Sequence, residues 1–149
     1  EFATHLFELR GKDVSKDLIA KVYQQFNGCT WFVQMMMNEL FALTKHDELC
    51  DIDKLEPAEQ NVIMAQESSY KDLLAHLAPK QKLILQAIAR EGTAKNVTSA
   101  AFIKRYNLPS ASSVQSAIKG LLKNDIITQE EDGYRIYDYF FATWLAKDY

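Results

Sequence analysis

The apolar pattern changes period after Lys123, and that change constrains the fold more than any other feature of the sequence. Before it, Val114, Ala117, Ile118, Leu121 and Leu122 share one face of a helix running from about Ser112 to Lys123. After it, Ile126-Ile127-Thr128-Gln129 and Tyr134-Arg135-Ile136-Tyr137 read as two strands joined by a tight Glu131-Asp132-Gly133 turn. Upstream, Pro79 restricts Ala78 and opens a helix from Lys80 to Arg90, with Leu83, Ile84, Ala87 and Ile88 inward and Gly92 as its stop. A helix from about Ser99 to Tyr106 and an Asn-Leu-Pro-Ser-Ala turn complete three helices in helix-turn-helix order. Three helices and a hairpin predict a winged-helix domain over residues 79–149. A last helix, from about Asp138 to Lys147, concentrates Phe140, Phe141, Trp144 and Leu145, which is too much apolar area to leave in water.

Residues 1–78 read as a separate helical domain, so the expected fold is mostly α. Asp13 or Ser15 caps a helix whose Leu18, Ile19, Val22, Tyr23 and Phe26 follow the helical period to Asn27-Gly28. A second helix starts after Thr30 and is densely apolar through Trp31, Phe32, Met35, Met36, Leu40, Phe41 and Leu43. Residues Lys45 to Glu56 are polar and acid-rich and read as a loop. Pro57 then sits in the first turn of a long helix with Val62, Ile63, Tyr70, Leu73, Leu74 and Leu77 in its stripe.

Of the 149 residues, 48% are hydrophobic, enough for a folded core, and the net charge of -3 implies no broad polyanion-binding surface. The charge is unevenly spread: residues 1–78 hold 7 basic and 13 acidic side chains, residues 79–149 hold 10 and 7. Cys29 and Cys50 lie in dissimilar surroundings without metal-ligand spacing, which fits a reduced, cytoplasmic protein. No apolar run approaches the roughly 20 residues of a spanning helix. The sequence opens on Glu1 within aromatic-rich residues, the expectation for a fragment of a longer chain.

Catalytic chemistry finds no complete site. The five glycines cannot furnish the phosphate-cradling loop that ends in Gly-Lys-Ser/Thr, and His5, His46 and His76 are isolated, without zinc-ligand spacing. Asp47, Glu48, Asp51 and Asp53 lack the central glycine and terminal glutamate of a calcium loop. No catalytic residue and no metal site are therefore expected. A nucleic-acid face is the more specific candidate. The second helix of the helix-turn-helix turns Ser112, Gln115, Ser116, Lys119 and Lys123 outward, where they can meet base edges or phosphates, with Lys95, Lys104, Arg105 and Arg135 as further phosphate contacts. The reading that leads for this face is a winged helix used for packing against another domain, since lysines scattered on a solvated face look the same from sequence.

Several segments resemble the C-terminal region of the archaeal-type ATPases of the AAA+/STAND group. They are Gln81-Lys82-x-Ile84-Leu85-x-Ala87-Ile88-Ala89-x-Glu91-Gly92, Ser113-Val114-Gln115-Ser116-Ala117-Ile118-x-x-Leu121, Gly133-Tyr134-Arg135-Ile136-x-Asp138 and Phe141-Ala142-x-Trp144-Leu145. In that family a P-loop domain precedes a helical lid and a winged helix, so the resemblance implies a lid-like bundle over 1–78 and a P-loop domain elsewhere. ATP and magnesium are then expected for the full-length protein and neither for these residues alone. The segment Phe26-Asn27-Gly28-Cys29-Thr30-Trp31-Phe32-Val33-Gln34 is similar to the family's lid sequence, which implies that Gly28, Thr30, Trp31 and Gln34 border the nucleotide. Thr30 stands where the family commonly has proline, and no arginine lies nearby. Without the resemblance, Trp31 and Phe32 read as core aromatics. The readings carried forward are the coupling portion of an ATPase, a DNA-binding regulator, and an interaction module that uses neither ligand.

Overall fold

The computed structural model describes residues 1–148 and divides the chain into two compact units, Glu1–Gln66 and Glu67–Tyr149. The first unit holds helix α1 (Phe2–Glu8), strand β1 (Asp13–Val14), α2 (Lys16–Gln25), α3 (Thr30–Leu43), strand β2 (Leu49–Cys50), a 3-10 turn (Ile52–Lys54) and the start of α4 (Leu55–His76). Ser15, not Asp13, caps α2: its hydroxyl accepts from the Leu18 amide at 3.4 Å, while Asp13 pairs in parallel with Leu49. The core gathers Leu18, Val22, Phe26, Phe32, Met36 and Leu40, and Phe7 meets Phe41 edge to face at 5.1 Å. Two lysines close the carboxy-terminal end of α3. Lys12 donates to the Phe41 carbonyl at 2.8 Å, which the Thr44 amide also reaches, and Lys54 donates to the Leu43 carbonyl at 2.9 Å, an acceptor that the helix itself leaves open.

The second unit contains the end of α4, then α5 (Pro79–Glu91), β3 (Thr93–Lys95), α6 (Ala100–Arg105), α7 (Ala111–Lys123), β4 (Ile127–Glu130), β5 (Gly133–Ile136) and α8 (Tyr139–Asp148). Helix α5 is the central element and packs on α7, α8 and β5, with Ile84, Leu85 and Ile88 fully buried. The antiparallel sheet has the order β3-β5-β4, in which Ala94 faces Tyr134 and Ile127 faces Ile136. A Cβ at Gly133 would strike the Ala94 carbonyl, so the turn and the third strand can come this close only at glycine. Helix α8 closes the core: Tyr70 lies 5.1 Å from Phe141 and 5.5 Å from Trp144, ring to ring. The fold is mostly helical, with a helix-turn-helix and a hairpin wing in its carboxy-terminal part.

Four details depart from the sequence expectations. The segment Lys45 to Glu56, expected as a loop, carries β2 and the 3-10 turn, and it buries Cys50 completely. A two-residue strand is held by its remote partner β1, and no periodicity announces such a pairing. Strand β3 was not expected either, being three residues long and directly behind the Gly92 stop. Tyr23 and Leu83, assigned inward, are 60% and 44% exposed, because each lies at the edge of its helix's apolar arc.

Candidate functional site

Helix α7 occupies the recognition position of the helix-turn-helix. Its amino terminus is fixed by Ser110, whose hydroxyl accepts from the Ser113 amide at 3.3 Å, and its buried face holds Val114, Ala117, Ile118 and Leu121. The helical repeat then leaves Ser112, Gln115, Ser116, Lys119 and Lys123 exposed together on the opposite side. Short polar residues stand at the amino-terminal end and two lysines further along. Lys119 and Lys123 make no ion pair among the described residues.

The helix face borders two shallow clefts. One, of about 370 Å³, lies between Lys80 and Gln81 on the first turn of α5 and Ser112, Ser113 and Ser116 on α7. Lys80 reaches the Ser113 hydroxyl there at 3.4 Å, which adds a cation the sequence reading did not single out. Its proximity to α7 depends on the α5–α7 packing, so no local motif marks it. The other cleft, of about 260 Å³, brings Gln115 opposite Gln129, Asp132 and Tyr134 of the wing.

The wing itself is acidic, and its carboxylates pair with Lys95 and Arg135, while Arg105 is paired elsewhere. Lys95 lies 2.8 Å from Asp132, Arg135 3.1 Å from Glu130, and Arg105 3.0 Å from Glu91. The Lys95 ammonium holds the Asp132 carboxyl below its ordinary range. The Tyr106 hydroxyl, followed by Arg105, does the same for Glu91. Three of the four cations expected as additional phosphate contacts are thus matched internally, and Lys104 makes no ion pair among the described residues. The signal was present in the run Glu130-Glu131-Asp132, which puts three acids at the tip of the hairpin.

In the first unit, Gly28 has φ +71° and follows Asn27 at φ +49°, a left-handed turn that ends α2. A Cβ at Gly28 would stand 2.7 Å from the Tyr23 hydroxyl, so the turn closes against that side chain. Thr30 and Gln34 lie one turn apart on α3, both exposed. Phe32 is buried as a core aromatic, but Trp31 is 67% exposed and is not one. A dense apolar run conceals this difference, since adjacent helical residues point about 100° apart.

Among the described residues no cluster of His, Cys, Asp or Glu is placed to hold a metal ion, and no helix is long and apolar enough to cross a membrane. No curated protein and no solved structure matches the chain. Its carboxy-terminal part, over residues 68–147, matches the family described as "Probable winged helix domain". That span covers more than half of the sequence and includes every element from α5 to the wing and into α8, and the chain belongs to this winged-helix family.

Proposed function

We propose that the winged-helix unit contacts duplex DNA through the outward face of α7, without help from the wing. The observation that carries this reading is the shared exposure of Ser112, Gln115, Ser116, Lys119 and Lys123 on the recognition helix. Short serines permit close approach to a groove, Gln115 can pair with a base edge, and Lys119, Lys123 and Lys80 supply the phosphate contacts. The acidic wing tip opposes phosphate, and Lys95 and Arg135 are occupied by its carboxylates. Association is therefore weak, salt-sensitive and largely indifferent to sequence. Three phosphate contacts give a slope of roughly -2.7 in log affinity against log salt. Fluorescence anisotropy on a labelled duplex at two salt concentrations tests this. Lys119→Ala with Lys123→Ala should remove most of the affinity and about two-thirds of the slope. Binding that survives this double substitution unchanged would refute the assignment.

A second reading, favoured by the exposure of Trp31 beside the Gly28 turn, makes the chain the lid and winged-helix portion of a larger AAA+/STAND-like ATPase. It rests on the sequence resemblance. Gly28, Thr30, Trp31 and Gln34 would then border a nucleotide whose phosphates and magnesium are held by a P-loop domain, and the winged helix would pass the nucleotide state on to a partner. Trp31 fluorescence tests the contact: adenine nucleotide should quench it when a P-loop domain is joined to the chain and leave it unchanged otherwise. An unresponsive Trp31 in the joined protein would count against this reading.

A further inference from the structure

Among the described residues, two apolar features lack a partner within their own units, and they complement each other. Helix α1 turns Phe2, Leu6 and Leu9 to solvent at 77%, 43% and 65% exposure, along a single i, i+4, i+7 stripe. Its buried side is already used, since Phe7 is inserted against Phe41. Glu1 and Glu8 flank the exposed stripe on one side, and Arg10 follows the helix on the other. In the second unit a groove of about 420 Å³ runs between the end of α5, the sheet and α8. Its floor is made of small or aliphatic residues, Ala89, Gly92, Ile136 and Ala142, and Arg135 and Lys147 stand at its edge. A Cβ at Gly92 would meet nothing within 4 Å, so the groove is open at that end.

We propose that the Phe2-Leu6-Leu9 stripe of one copy seats in the α5–α8 groove of a second copy. Small residues on the floor let a helix come close, and large side chains on α1 supply the volume that they leave. Charge favours the same pairing. Glu1 and Glu8 lie beside the stripe and Lys147 lines the groove, so the two surfaces carry complementary charge. Lys147 carries no ion pair among the described residues and is the groove cation that Glu1 or Glu8 would meet. No α7 residue lines the groove, and the inference does not depend on DNA contact.

Sedimentation velocity of the full 149-residue chain, from about 10 μM to about 1 mM at low salt, reads the association directly. Mass should rise with concentration, and Leu6→Glu on the stripe and Ala146→Glu in the groove should each weaken association by roughly tenfold or more. Both positions are exposed, so circular dichroism should show unchanged folding. Lys147→Glu should also weaken it, and Glu8→Lys added to Lys147→Glu should restore part of the loss. A chain that stays monomeric over the whole range overturns the proposal. So does self-association unaffected by both Leu6→Glu and Ala146→Glu.

Discussion

The Lys95 ammonium lies 2.8 Å from the Asp132 carboxylate, and this pair ties the strand before the helix-turn-helix to the tip of the wing. Arg135 and Glu130 form a second tie along the same hairpin. Both pairs are solvent-exposed, so they contribute little to stability while removing two cations from the surface that could face phosphate. Asp132→Asn with Glu130→Gln should leave the melting temperature nearly unchanged. It should tighten duplex binding by roughly threefold to tenfold at low salt and steepen the salt slope by about one per released cation. Anisotropy at two salt concentrations measures both effects, and unchanged binding would mean that the wing never approaches the nucleic acid.

Where local rules sufficed, the sequence was legible. Pro79, Gly92 and Ser99 bound their helices as capping chemistry requires, and the change of period after Lys123 marked the wing, while Ser110 caps α7 from within what reads as the preceding turn. The exposed side of α7 followed from the helical repeat alone, so Gln115, Ser116, Lys119 and Lys123 could be named in advance. Features made by distant partners were not legible. Strands β1 and β2 support each other across more than thirty residues, and Lys80 meets Ser113 only because α5 and α7 pack together. The pairing of Arg135 is local and was signalled by the acids of the turn, although its residue type suggests a phosphate ligand.

Cys50 illustrates the same limit and changes an expectation for mutagenesis. An acid-rich loop suggests that serine there is harmless, yet Cys50 is fully buried and its sulfur lies 3.9 Å from the Leu40 carbonyl. Burial raises its thiol pKa, so the group is an inert packing element rather than a reactive thiolate. Cys50→Ser should cost about 1 to 2 kcal/mol, because a hydroxyl is more expensive to desolvate than a thiol and must share the Leu40 carbonyl with the Thr44 hydroxyl beside it. Cys29→Ser, at the amino-terminal cap of α3, should be neutral or slightly stabilising. Urea unfolding of the two variants makes the comparison.

The purified chain should not hydrolyse ATP. No Gly-Lys-Ser/Thr loop is present in its sequence, and no acidic cluster among the described residues is placed to hold magnesium. Phosphate release with and without magnesium is the measurement. Magnesium-dependent turnover that a point change within the chain abolishes would contradict it.

Trp144 should dominate the stability of the second unit. It is 4% exposed, lies 5.5 Å from Tyr70 and 6.0 Å from Phe141, and its indole faces Glu67, whose carboxyl is held low first by Lys71 and then by that indole. Trp144→Ala should cost about 3 to 5 kcal/mol and lower the melting temperature by roughly ten degrees or more. Trp144→Phe keeps a ring against Tyr70 and should recover much of that loss. Thermal unfolding that leaves the alanine variant at the wild-type midpoint would remove α8 from the core.

Asp138 gives the fold a pH dependence whose sign can be worked out. Its Oδ1 accepts from the Phe141 amide at 3.0 Å and caps α8, but burial among the α8 aromatics raises its pKa despite the hydrogen bonds from Phe141 and Phe140. A carboxyl that binds its proton more tightly in the folded than in the unfolded chain stabilises the fold on protonation. The unfavourable charged form is therefore fully felt above the raised native pKa and fades as pH falls toward the unfolded value of about 3.9. Asp138→Asn keeps an oxygen for the Phe141 amide and has no charge to bury. It should be more stable than the wild type at about pH 7, and the difference should shrink to nothing near pH 4. Asp138→Ala loses the cap and should be weaker than Asp138→Asn by about 1 kcal/mol at every pH. Urea unfolding of the three proteins at about pH 4, 5.5 and 7 resolves the two effects. An asparagine advantage that grows toward acid would show that the buried carboxylate is stabilised by its surroundings and that the cap outweighs the burial.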